Sequence, residues 1–133
     1  MPEHAAVLFA NDAFYLAFAN RDLDAMEDIW AKETSITCIH PGWEPLLGRD
    51  EVMESLEAIL NNSPATNISC KNPTVRVFDG FACVICYEVL DQGVLVATNI
   101  FVHEGGQWKI IHHQAGAAPP PESMEDDPSD VMQ

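Results

Sequence analysis

The chain has 133 residues, of which 21 are acidic and 6 basic, for a formal charge of −15. That length supports one hydrophobic core and no separate cofactor domain, and no Lys or Arg stretch could neutralise a phosphate backbone, so nucleic acid and anionic membrane are excluded as partners. No apolar run approaches a bilayer span, and the Met-Pro-Glu-His start lacks the basic residues of a signal peptide, so the reading is a cytoplasmic protein.

In chain order, residues 3–20 (EHAAVLFANDAFYLAFAN) place Val7, Ala10, Phe14 and Phe18 at helical spacing and predict a long first helix. Asp22 caps a second helix whose apolar stripe is Leu23, Met26, Ile29 and Trp30. TSITCI is β-branched enough for a short strand, and HPGWEPLLG is a turn-rich connection carrying a large aromatic. A third helix follows Gly48, with Val52, Met53, Leu56, Ile59 and Leu60 on one side and Glu51, Glu54 and Glu57 on another, stopped by Asn61, Asn62, Ser63 and Pro64. Beyond Pro64 the turns Asp79-Gly80, Gln92-Gly93 and Gly105-Gly106 separate alternating runs, the pattern of consecutive antiparallel hairpins. The class is therefore α+β, helices first and a curved antiparallel meander second.

Cys83 and Cys86 form a CxxC pattern inside the strand-like FACVICYEVL. The odd offset sends the two thiols to opposite faces, which argues against a redox or zinc pair, and the four cysteines read as reduced core residues. The tail AAPPPESMEDDPSDVMQ has five acids, no base and four prolines, too few apolar groups for a core of its own. It is either a solvated appendage or a lid or partner-binding arm.

Counting pairs outward from the turns assigns faces. A two-residue turn at Gly105-Gly106 sets Phe101 opposite Ile110, Asn99 opposite His112 and Ala97 opposite Gln114. His112 and His113 then point to opposite sides, His113 pairing with Thr98. A turn at Gln92-Gly93 adds Val84, Cys86 and Glu88 to the face of His112. With a turn at Asp79-Gly80, Lys71 falls opposite Glu88, and Pro73 between them predicts a bulge that shifts this register. One face thus collects Glu88, Asn99, His112 and Gln114 among apolar neighbours, the general form of a small-molecule pocket, although the same four groups could satisfy one another in a closed core. The other face, with Ile85, Tyr87, Ile100 and Ile111, is almost wholly apolar and needs a cover, for which a second copy is the obvious candidate.

Four segments, FYLAFANRDLDAM, HPGWEPLLGRDEV, ATNIFV and WKIIHHQAG, resemble in order and spacing the SnoaL-like branch of the nuclear transport factor 2-like superfamily. The resemblance implies a cone of three N-terminal helices wrapped by a curved sheet (the cystatin-like fold), a SnoaL-like domain over residues 1–116 and an acidic Pro-rich tail over 117–133. The run NPTVRVFDGFACVICYEVL is similar to the association domain of calcium/calmodulin-dependent kinase II, in which the positions matching Glu88, Asn99 and Gln114 carry pocket-facing arginines. An acid and two amides stand here, so a carboxylate ligand is not implied. The superfamily includes ketosteroid isomerase, the cyclase SnoaL, dehydratases and non-catalytic association modules, so the fold does not decide the function.

Two readings follow. In the first, Glu88 is a base raised by apolar walls and acts with His112 on a small, largely apolar carbonyl compound, without a cofactor. Asn99 and Gln114 orient it, His40 and Trp43 stand at the rim, and Met53, Leu56 and Phe101 complete the ligand-binding set. In the second, the same pocket is a non-catalytic receptor and the homodimer is the functional product. For His40 and Trp43 a helix-entry turn anchored by the indole competes with the ligand role. A metal set of His40, His112 and Glu88 is the third possibility, but no ligand spacing demands it, and no metal is expected.

Overall fold

The computed structural model describes residues 2–62 and 67–123. The expected helix stop at Ser63 and Pro64 and the acidic tail from residue 124 lie outside the described residues.

Helix α1 spans Pro2–Ala19 and buries Val7, Asn11, Phe14, Tyr15 and Ala17, a stripe at intervals of three and four, while Phe9 and Leu16 face outward. Helix α2, Leu23–Ile29, begins where the Asp22 carboxylate accepts from the Ala25 N–H at 3.1 Å. At its far end the Arg49 guanidinium donates to the carbonyls of Glu27, Trp30 and Ala31. One side chain thus satisfies carbonyls left without helical partners and ties α2 to helix α3, Arg49–Asn62. Along α3, Val52, Leu56 and Leu60 recur every four residues and are buried. Each such side chain contributes roughly 1.5–3 kcal/mol on leaving water. No described helix is long and apolar enough to cross a membrane.

The strands are β1 (Thr37–Ile39), β2 (Leu46–Leu47), β3 (Ser69–Val77), β4 (Phe81–Leu90), β5 (Gly93–Glu104) and β6 (Gln107–Ala117), in the sheet order β2-β1-β6-β5-β4-β3. The helices cover one face, giving the expected α+β class. The sheet is not wholly antiparallel, because β1 runs parallel to β6. The chain leaving α2 is already aligned along β6, with Trp30 bridged in parallel to Ile110 and the Ala31 N–H donating to the Ile110 carbonyl at 2.9 Å. The short β2, inside the stretch read as a connection, pairs antiparallel with β1.

Three registers decide what faces the helices. The β4–β5 turn is Asp91-Gln92, one residue earlier than expected, so Leu90 pairs with Gly93 and Glu88 with Leu95. The ladder moves by two residues, which preserves faces because side chains alternate with period two. The β3–β4 hairpin turns at Asp79-Gly80, but the ladder shifts between Lys71 and Thr74, where Asn72 has φ 52 and Pro73 cannot donate to the ladder. Cys70 rather than Lys71 therefore stands opposite Glu88.

The third register overturns the histidine assignment. From the Gly105-Gly106 turn the pairing proceeds as expected to Phe101 and Ile110, then shifts, so that Ile100 pairs with His112 and Asn99 with His113. Ile111 is the extra residue of a bulge. Below it, His113 and Ala115 turn inward, while His112 turns outward and Gln114 is exposed. Alternation could not reveal this, since Ile110 and Ile111 are equally apolar and either satisfies a buried position.

Candidate small-molecule cleft

A cleft of about 640 Å³ opens between the C-terminal end of α1, α3 and the β4–β5 hairpin. Phe18, Ile59, Leu60 and Leu95 form apolar walls; Glu88, His40 and His113, each 4% exposed or less, form the floor; Trp43, 46% exposed, stands at the rim. The Trp43 ring meets His40 edge-on, with centroids 4.9 Å apart.

Behind the floor runs a closed set of hydrogen bonds. The Tyr15 hydroxyl donates to Glu88 Oε2 at 2.7 Å, and His113 Nε2 lies 3.8 Å from the same oxygen. Asn99 Nδ2 donates to Asn11 Oδ1 at 2.8 Å and to the Tyr15 oxygen at 3.1 Å, while Asn99 Oδ1 meets His113 Nδ1 at 2.6 Å. Asn11 Nδ2 donates in turn to Cys70 Sγ at 3.5 Å. On the other side of the floor, His40 Nε2 lies 2.9 Å from Ser55 Oγ, whose hydroxyl donates to the Val52 carbonyl.

Burial dominates the electrostatics. It pushes the Glu88 carboxyl up, opposed by the Tyr15 hydrogen bond. It holds His113 down to about 3, helped by His40 and His112, and His40 down to about 4. Both imidazoles are therefore neutral near pH 7.

Of the residues expected at the site, Glu88, His40 and Trp43 line the cleft. Asn99 is fully buried one layer behind it. Phe101 and Leu56 lie in the core and Met53 packs against that core, none of them on the cleft wall. His112 lies on the outer face with its Nδ1 2.6 Å from Thr37 Oγ1, and Gln114 is exposed; the bulge at Ile111 removes both from the site. The same shift separates His112 from His40 and Glu88 as a metal set, and among the described residues no three His, Cys, Asp or Glu side chains are arranged to hold a metal ion. Sequence reasoning missed His113, Tyr15 and Asn11. The available signal was Asn11 and Tyr15, four apart and inside the stripe of Val7, Phe14 and Phe18, where polar groups need partners.

The profile of the SnoaL-like domain matches residues 7–119. The chain belongs to the SnoaL-like domain family. Among solved structures, this SnoaL-like chain is similar to a nuclear transport factor 2-like protein of Streptomyces avermitilis provisionally ascribed a dehydratase activity. The identity is 27% and the TM-score 0.82, over 88% of this chain and 97% of that one. A protein of Thiobacillus denitrificans provisionally assigned as a calcium/calmodulin-dependent protein kinase type II association domain is 29% identical, with TM-score 0.75, over 82% of this chain and 92% of that one. The F-box protein SKIP8 of Arabidopsis thaliana is 27% identical over 112 residues, 83% of this chain but 48% of the relative, so the chain spans about half that protein's length.

Proposed function

We propose that this SnoaL-like chain binds a small, largely apolar molecule in the cleft and moves a proton on it without a cofactor, in chemistry of the isomerase, cyclase or dehydratase type. The observation that carries the reading is Glu88 beside His113, 3.8 Å apart at the floor of an apolar cleft. A carboxylate pushed up by burial is a stronger base than in water, and His113 beside it, held down and neutral, leaves the carboxylate as the group that takes the proton. Tyr15 fixes the carboxylate and Asn99 fixes the imidazole ring, so neither must reorient during transfer. The likeness to the Streptomyces protein supports this class of chemistry.

A second reading, a non-catalytic binding or association module, draws on one observation: both Asn99 amide N–H groups are committed to Asn11 and Tyr15, so Asn99 does not donate to a developing oxyanion. Under either reading the outer face, where Ile85 is 47% exposed, packs against a second copy. Incubating the protein in D2O with a panel of small cyclic ketones tests the catalytic reading. Protein-dependent exchange of hydrogens α to the carbonyl, reduced at least 100-fold in Glu88→Gln, is the expected result. Absence of such exchange, together with a Glu88 carboxyl that titrates below the ordinary range in a carbon NMR experiment, would leave the binding module.

A further inference from the structure

Hydrogen-bond direction at the floor of the cleft specifies the chemistry of what binds there. Because Asn99 Nδ2 donates to Asn11 and Tyr15, Asn99 Oδ1 is an acceptor, and the His113 nitrogen 2.6 Å from it must carry a proton. Neutral His113 is therefore the Nδ1–H tautomer, with its lone pair on Nε2 beside Glu88. Ser55 has a single hydroxyl proton, which goes to the Val52 carbonyl, so Ser55 Oγ accepts from His40 Nε2–H. Neutral His40 keeps its lone pair on Nδ1, where its polar neighbour is the Cys38 thiol at 3.8 Å, a weak donor. Tyr15 has spent its proton on Glu88. The floor thus offers two imidazole lone pairs and a carboxylate, all acceptors, while the walls are apolar apart from Arg21 and Gln92, both exposed and away from the buried floor.

We infer that the ligand carries a primary or secondary ammonium group, seated at the floor against Glu88, His113 and His40, with its hydrocarbon body along Phe18, Ile59, Leu60 and Leu95. The inference rests on the cleft being a small-molecule site but not on catalysis. An ammonium brings up to three donors to three acceptors and a charge to balance the Glu88 carboxylate. An alcohol brings one donor and no charge. At the floor a carboxylate would meet acceptors and a like charge, in a chain of formal charge −15, and the Arg21 guanidinium that lines the cleft is exposed rather than part of the floor. Trp43, half-exposed at the rim, adds an aromatic ring to the entrance, where a cation is attracted to π density. A free amine meeting protonated Glu88 takes its proton, and an ammonium meeting the carboxylate finds it already removed; both routes end in the same ion pair.

Three probes of matched shape decide the matter: cyclohexylmethylamine, cyclohexylmethanol and cyclohexanecarboxylate, titrated into the full chain near pH 7.5 by isothermal calorimetry. The amine should bind at least tenfold more tightly than the alcohol, and the carboxylate should give no measurable binding. Glu88→Gln should weaken the amine at least tenfold and leave the alcohol within threefold. Trp43→Ala, at a half-exposed position whose loss spares the core, should weaken the amine severalfold even if the Glu88 variant fails to fold. Alcohol or carboxylate binding as tightly as the amine overturns the ammonium inference while leaving the cleft a small-molecule site. Failure of all three probes overturns both. Amine binding unchanged by either substitution places it outside the cleft and overturns the inference.

Discussion

On the inner face of the sheet, Glu88, Asn99 and His113 are 3% exposed or less, yet each is engaged with polar neighbours from α1 or an adjacent strand. On the outer face of the same strands, Ile85 is 47% and Phe81 41% exposed, with Phe81 stacked on Phe78 and Arg76 over the Phe78 ring. The usual order of a half-buried sheet is reversed in part: polar groups lie inside and apolar groups face out. Buried polar side chains persist where they form a satisfied network or face a ligand, and exposed apolar ones where a partner covers them. Under the proposed function the inner face carries the chemistry and the outer one the assembly, and the contrast can be broken at either.

The largest expected effect is on the outer face. Ile100→Asp places an unpaired charge in the proposed dimer contact, at a cost of about 3–5 kcal/mol of association. Sedimentation should show monomers; a variant that stays dimeric places the contact elsewhere. On the inner face, Asn99→Ala strips partners from His113, Asn11 and Tyr15 at once and should lower unfolding free energy by about 3 kcal/mol in urea titration. A loss under 1 kcal/mol would mean that the network relaxes around the gap.

The two histidines give the sharpest matched pair. His113→Ala should lower stability by about 2 kcal/mol and impair ligand binding in the cleft, whereas His112→Ala, which removes one partly buried bond to Thr37, should cost roughly 1 kcal/mol or less and leave binding intact. Equal effects on binding would contradict the bulge.

The smallest effect is a pH slope. His113 and His40, held down to about 3 and about 4, stay neutral in the fold but take up protons in the unfolded chain below their ordinary 6.5. The unfolded state then binds more protons, so this contribution is complete above pH 6.5 and is lost as pH falls toward 3–4. Glu88 acts in the opposite sense: raised above its ordinary 4.5, it stabilises the fold in acid and loses that contribution as pH rises through its folded value. Two histidines against one carboxylate predict a urea midpoint lower at pH 5 than at pH 7, with a shallower slope in His113→Gln. A midpoint that rises on acidification would give Glu88 the larger share.

The strands differ in how much they disclosed. In β4, FACVICYEVL runs without a bulge against β5, and the set Ala82, Val84, Cys86 and Glu88, placed on one face by counting from the turns, stays together and faces inward, surviving even a misplaced turn. In β6, WKIIHHQAG offers two isoleucines and then two histidines, so neither pair reports which member faces in. The bulge at Ile111 decides it, where Ile110 receives the chain leaving α2 and His112 receives β1. Both contacts join residues more than seventy positions apart.

Local signals in the sequence determined the class, the three helices with the Asp22 cap, the hairpin order, the polar residue Glu88 on an apolar face, and the resemblance that the family match bears out, because capping, periodicity and turn chemistry act over a few residues. Tertiary structure alone decided that β1 runs parallel to β6, that the expected Pro73 bulge brings Cys70 opposite Glu88, that His113 and not His112 joins the floor, and that Asn11 and Tyr15 close the network from α1. The physical reason is common to all four. A single inserted residue inverts every side chain beyond it, and a buried donor is identified by the acceptor it meets across the core, which no local pattern encodes.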